Sequence, residues 1–280
     1  MNEPQEKNMS GRFLTLTFTL SWLFWIPAAI LGSDFQSSAW GIPFVLGGFG
    51  PSAAAVILVF RHRGREERRD FWKRVIDFKR ISWAWYLFLF LIFPAVMALS
   101  FLISTLLGNP LPAFETLQRI ADTPLSLIGT ILIGILTGPL SEELGWRGYV
   151  LDQLRPQRSL LASSLIVAPF WWAWHLPLFF MEGTSQQSYG INSAFFWLFA
   201  AQIIPLSVIF TWAAEKNRRS ILAAVLGHFT FNFVFGLVYP VSETVYFIQV
   251  IVLFLIAGGM VLIDAPGNSG KEIWKRVLPI

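Results

Sequence analysis

Three short stretches of an otherwise apolar chain carry groups able to move protons and stabilise charge. They are Ser141-Glu142-Glu143-Leu144-Gly145-Trp146-Arg147, His175 at the end of Phe170-Trp171-Trp172-Ala173-Trp174, and His228-Phe229-Thr230-Phe231-Asn232. Glu143 and Arg147 are four apart with the acid first, the better order for an i,i+4 ion pair on a helix. Glu142 has no such partner on its own helix, which leaves its carboxylate free to serve as a general base. His228 and Asn232 are also four apart, so both face one way and together supply two donors to a developing oxyanion. His175, arriving from another helix, completes a set able to hold a water beside Glu142. The chemistry this points to is attack of water on a carbonyl. Each feature also has a plainer reading: a helix-packing ion pair for Glu143 and Arg147, and interhelical hydrogen bonding for the histidines and Asn232.

The elements that must position these groups follow from composition. Of 280 residues, 55% are hydrophobic and 14% charged, outside the usual balance of a soluble domain. Lipid as the outer solvent resolves this, and 27 Phe with 13 Trp suit rings facing acyl chains or headgroups. With no Cys there is no disulfide, thiolate metal site or cysteine nucleophile. Eight stretches are apolar for about 20 residues, the length that crosses a bilayer. They are roughly 13–32, 40–60, 82–107, 125–154, 159–181, 192–214, 220–239 and 244–263. The expected fold class is therefore all-α, a polytopic membrane protein with about eight transmembrane helices, and residues 1–280 read as a single integral-membrane domain. Ionisable residues inside spans are costly and mark function by default. At a rise of ~1.5 Å per residue from one membrane face, Glu142 lies ~18 Å deep, His175 ~24 Å, His228 ~12 Å and Asn232 ~18 Å. Overlapping depths on three helices are what one shared site requires.

Orientation follows from Lys and Arg. Nine lie from Arg61 to Arg80, and others lie near the N-terminus (Lys7, Arg12), in or near the link after span four (Arg147, Arg155, Arg158), after span six (Lys216, Arg218, Arg219) and in the tail (Lys271, Lys275, Arg276). With eight spans, 20 of the 21 fall on one side, and only Arg119 lies opposite. The positive-inside rule makes that side cytoplasmic, with both termini on it. The Arg61–Arg80 segment is then a topology signal against anionic headgroups rather than a nucleic-acid surface.

In sequence order, Glu142-Glu143-x-x-x-Arg147, then Trp171-x-x-x-His175, then His228-x-x-x-Asn232 resemble the motifs of the CPBP family of intramembrane proteases. That family is also described as CAAX-processing, or as Abi proteins associated with bacteriocin processing and self-immunity. The resemblance covers about residues 125–240, and Gly47-Gly48-Phe49-Gly50-Pro51 is similar to a turn in the second helix of bacterial members. It implies that Glu142 and His175 activate the hydrolytic water, that His228 and Asn232 form the oxyanion hole, and that Glu143 and Arg147 support them. Trp171 stands where the family pattern has Phe, which reads as tolerated packing.

The leading expectation is an intramembrane endopeptidase of a bacterial cytoplasmic membrane, opening toward the cytoplasm. Its substrate would be a peptide or membrane-protein segment, with or without a lipid modification, and no nucleic acid. Zinc is the cofactor to weigh, with Glu142, His175 and His228 as its ligands, because Glu and His are common zinc donors. The His-Glu-x-x-His spacing of zinc proteases is absent, so metal-free chemistry is the first expectation. The alternatives are a non-catalytic self-immunity or scaffold protein and, third, a transporter using midplane ionisable residues.

Overall fold

A computed structural model describes residues 3–32 and 41–264, with side chains from Ser10 onward. The described residues are helices and their connections, with no strand among them, as expected. In chain order they form α1 (Glu3–Ile30), α2 (Gly41–Gly48), α3 (Gly50–His62), α4 (Arg65–Ile76), α5 (Trp83–Leu106) and α6 (Glu115–Asp122). Then come α7 (Ser126–Ile135), α8 (Ser141–Gly145), α9 (Leu151–Leu154), α10 (Leu160–Trp174), α11 (Ser185–Tyr189), α12 (Ala194–Lys216), α13 (Ile221–Val238) and α14 (Glu243–Asp264).

Six helical runs are long and apolar enough to cross a bilayer, and α2 with α3, bent by 44°, makes a seventh when counted as one span. The chain is a multi-pass integral membrane protein. The eighth apolar stretch, expected over 159–181, differs. Ser159 caps its start by accepting from the Ala162 N–H at 3.1 Å, but α10 is only 15 residues long. At ~1.5 Å per residue that is ~22 Å, short of a hydrocarbon core of about 30 Å. The chain then tightens into a 3-10 turn, Leu176–Phe180, with Pro177 at its start. The helix therefore stops with His175 as its last, half-helical residue.

Residues Ser126–Leu154 form one interrupted rod. Leu136–Leu140 and Trp146–Val150 are π-helical, and they flank the single turn that carries Glu142 and Glu143. The first interruption has an identifiable cause. Pro139 cannot donate to the ladder, and Thr137 leaves helical geometry at φ −96°, ψ 35°. Wide turns of this kind are frequent at functional sites.

Charged groups gather at one end of the bundle. Arg74 and Arg219 both pair with Asp152, at 2.7 Å each, Arg80 pairs with Asp70, and Arg155 pairs with Glu215 at 3.0 Å. Lys216 meets Asp264 at 2.6 Å, and the Arg80 guanidinium donates to the Arg218 carbonyl. Arg12, Arg61 and His62 border one surface hollow. The ends of α1, α3, α5, α9, α12, α13 and α14 that the basic residues mark are thus one physical face. Arg147, expected in or near the link after span four, lies within the rod. It is 2% exposed, inside the bundle. The side chain of Lys7, and Lys271, Lys275 and Arg276, lie outside the described residues.

Candidate active site

Glu142, His175, His228 and Asn232 all line one cavity of about 210 Å³ in the middle of the bundle. They come from α8, the end of α10, and α13, so the shared depth expected from helix rise is matched by a shared space. Glu142, His175 and His228 are buried, and Asn232 is exposed on the cavity side of α13.

Each group is held by a specific partner. Glu142 Oε2 accepts from the Trp171 indole Nε1–H at 2.6 Å. Because α10 stops at Trp174, the His175 backbone N–H turns to the Trp172 carbonyl at 3.0 Å, not to that of Trp171. The Trp171 carbonyl, one of the last-turn acceptors that a helix end leaves over, lies 2.7 Å from His175 Nδ1. A carbonyl only accepts, so Nδ1 carries a proton and Nε2 of the neutral ring presents its lone pair. The early end of α10 thus fixes the tautomer of His175 as well as its place.

The expected ion pair is present. Arg147 donates to Glu143 Oε1 at 3.0 Å, and both side chains are fully enclosed. The same oxygen lies 2.7 Å from His228 Nδ1, a contact across 85 residues that spacing does not reveal. Since a carboxylate accepts, Nδ1 donates, and His228 can donate a second bond from Nε2 only with both nitrogens protonated. The Arg147 guanidinium lies over the Trp171 ring at 4.4 Å and near the Phe210 ring at 5.3 Å, and His228 stacks on Phe210 at 5.1 Å. Among the described residues, Arg147 Nε and Nη2 and Glu143 Oε2 have no hydrogen-bond partner. This is an electrostatically held cluster enclosed within the bundle.

Gly138 explains how close the reacting groups come. A Cβ built there would lie 3.2 Å from Asn232 Nδ2 and 3.9 Å from Glu142 Oε1. Glu142 Oε1 and the amide of Asn232 thus both border the space that a side chain at 138 would occupy.

Sequence reasoning passed over two groups. Trp171 was read as packing, yet it contacts Glu142 by its N–H, His175 by its carbonyl, and Arg147 by its ring face. Gln202, on α12, also lines the cavity and accepts from Gln249 Nε2 at 3.4 Å. An amide inside an apolar span is a signal available from sequence. As for zinc, no three His, Asp or Glu side chains among the described residues are grouped to hold a metal ion. Glu142, His175 and His228 share the cavity without being grouped as such a set.

The cavity reaches away from the charged face. Its wall includes Trp25, Phe44, Gly48, Ser185, Gln186 and Gln202. Toward the charged face the helices instead close on one another. A Cβ on Gly145 would lie 2.7 Å from the Pro51 carbonyl oxygen, and one on Gly148 2.8 Å from Ile221. Trp146 is enclosed against Phe13.

Comparison with known proteins identifies a family. The family described as type II CAAX prenyl endopeptidase, Rce1-like, matches residues 124–234. The chain is similar to CAAX prenyl protease 2 of Methanococcus maripaludis, with 31% identity over 252 residues, 89% of this chain and 91% of that protein. With three motifs around one buried cavity and a relative matched along nearly its whole length, this chain belongs to the Rce1-like type II CAAX prenyl endopeptidase family of membrane proteases.

Proposed function

We propose that the chain hydrolyses peptide bonds inside the membrane with Glu142 as general base. The observation that carries this is the convergence of Glu142, His175, His228 and Asn232, from three helices, on one cavity. A water held between Glu142 Oε1 and His175 Nε2 attacks the carbonyl carbon, and Glu142 takes its proton. The negative charge moves to the carbonyl oxygen, where Asn232 and doubly protonated His228 donate to it. Glu143 carries the compensating charge for that imidazolium and orients it. As the C–N bond breaks, the leaving amine takes the proton from Glu142 and leaves a carboxylate. Trp171 holds Glu142 throughout by its N–H.

Every step is assigned to these side chains, and the hydrogen bonds made by Glu142 Oε2 and both Nδ1 atoms hold them in place. The substrate is a peptide or a membrane-protein segment. The name of the Methanococcus maripaludis relative, a CAAX prenyl protease, adds prenylated peptides to the substrates worth testing. The test is turnover of a peptide library, prenylated tails included, by purified wild type and Glu142→Ala. We expect the variant to stay folded and lose about 10³-fold in turnover, the scale of a general base. Undiminished cleavage by Glu142→Ala would remove this reading, and abolition of wild-type cleavage by a chelator would replace it with metal-assisted hydrolysis.

A further inference from the structure

The cations of the charged face differ in whether their charge is already answered. Arg63, Arg74, Arg80, Arg155, Lys216 and Arg219 each meet a carboxylate. Arg12, Arg61 and His62 do not, and among the described residues their side chains have no ion-pair or hydrogen-bond partner. All three line one hollow of about 640 Å³ between α1 and the end of α3, and no acidic residue lines it. The two helices run in opposite directions, since Gly50 lies against Ser21 while Arg61 shares the hollow with Arg12. Each therefore presents the same gradient. On α1 the outer position is Arg12, and Leu16 lies four residues deeper. On α3 the outer positions are Arg61 and His62, and Ile57 and Leu58 lie four residues deeper. Four residues of helix rise ~6 Å. Gly11 borders open space, with nothing within 4 Å of a Cβ built there. The end of α3 would itself repel an anion by its partial negative charge, but Arg68 already donates to the Phe60 carbonyl and, at 2.8 Å, to that of Arg63.

We infer that this hollow is a binding site for one anionic phospholipid. The phosphate lies between Arg12 and Arg61, with His62 and the Thr15 hydroxyl as further donors. The start of an acyl chain then runs along Leu16, Ile57 and Leu58. Basic residues at the headgroup level attract anionic lipid, and these two arginines have no carboxylate to satisfy first. A soluble anion would use the cations alone. An apolar step ~6 Å below them suits a molecule whose charge and chain are joined. Such a lipid would fit in either leaflet. The site shares no lining residue with the catalytic cavity. It still touches the catalytic rod through one neighbour: Phe13, beside Arg12, packs on Trp146 and Tyr149 with ring centroids 5.6 and 5.4 Å away. A lipid bridging α1 and α3 thus holds α1 against the rod that carries Glu142.

Native mass spectrometry of the purified chain in detergent, with dioleoyl phosphatidylglycerol and dioleoyl phosphatidylcholine offered in equal amounts, reads this site without catalysis. Wild type should retain one phosphatidylglycerol and unfold at a higher temperature with it. Equal retention of phosphatidylcholine overturns the assignment. Arg12→Gln combined with Arg61→Gln should weaken phosphatidylglycerol binding at least about tenfold, the scale expected for two basic residues at an anionic headgroup. Arg65→Gln combined with Arg69→Gln removes the same charge from exposed positions outside the hollow and should leave binding unchanged. Equal losses in the two double variants would show attraction to the whole charged face and overturn the site. Thr15→Trp fills the hollow while keeping both arginines, and it should displace the lipid as well. It keeps the test decisive if the arginine variant folds poorly, and full retention of lipid by Thr15→Trp overturns the site. Stabilisation of wild type by inorganic phosphate or by glycerophosphoglycerol, the headgroup without chains, to the same extent as by the whole lipid would overturn the lipid in favour of a soluble anion.

Discussion

Arg147 and Arg155 are eight residues apart on one rod, and each meets a glutamate at 3.0 Å. Around Arg147 and Glu143 no solvent reaches either side chain, whereas Arg155 and Glu215 remain 29% and 20% exposed. Equal distance conceals unequal energetics. A pair near water contributes about 0–1 kcal/mol, because water and salt already solvate both charges. A fully enclosed pair has given up its hydration, so removing one partner strands the other at a cost of about 3–5 kcal/mol. The charged face is a belt of replaceable contacts, and the interior cluster is an interdependent unit.

The sharpest way to break that contrast is Arg147→Ala. It should lower stability against unfolding in detergent by about 3–5 kcal/mol, because Glu143 is left buried without its cation. Replacing both Glu143 and Arg147 by Met should recover most of the stability, since a matched apolar pair needs no compensation. Turnover should stay lost, because His228 Nδ1 then has no acceptor. Recovery of both properties together would show that the pair serves packing alone.

Next in size is Trp171→Phe, which keeps a ring beside Arg147 and removes only the donor to Glu142. Hydrogen bonds to charged groups contribute about 1.5–3 kcal/mol, so kcat should fall about tenfold or more. KM should be little changed, and an unaltered kcat would return Trp171 to a packing role. Gly138→Ala should act through Asn232, pushing its amide by a few tenths of an ångström. About a tenfold fall in kcat with normal stability is expected, as positioning errors of 1 Å cost about 10²-fold. The smallest effect should come from Arg155→Ala: a loss of at most about 1 kcal/mol, shrinking as salt rises, with turnover unchanged. A loss as large as that of Arg147→Ala would erase the distinction between the two regions.

Much of the interior cluster was legible because helix geometry is periodic. The Glu143–Arg147 pair is found as the i,i+4 spacing implies, and rise alone brought Glu142, His175 and Asn232 to overlapping depths. Contacts between helices were not legible. The Glu143–His228 bridge spans 85 residues and depends on how two helices cross, and the Trp171–Glu142 bond depends on rotamers. Trp171 reads by shape as a substitute for the Phe of the family pattern, which hides the N–H that only Trp has. The short α10 was missed because 159–181 is apolar throughout. Hydropathy cannot see a helix end when the residues beyond it are equally apolar. The direction of the cavity was beyond reach for a similar reason, since glycines that allow close approach at Gly145 and Gly148 look in sequence like any others.

The π-helical turn at Leu136–Leu140 has a consequence for how this rod tolerates insertions and deletions. Successive residues on an α-helix are separated by about 100°. Glu142 and Glu143 are neighbours with opposite duties, one facing the cavity and the other tied to Arg147 and His228. A wide turn amounts to one residue more than the regular winding would need. Removing a single residue from it would restore a regular ladder and leave both glutamates close to their present bearing, whereas the same deletion from regular winding would turn everything beyond by about 100°, enough to move each glutamate into its neighbour's bearing. The spare residue therefore acts as slack, letting this part of the rod lose one residue while each of two chemically identical carboxylates keeps its own bearing.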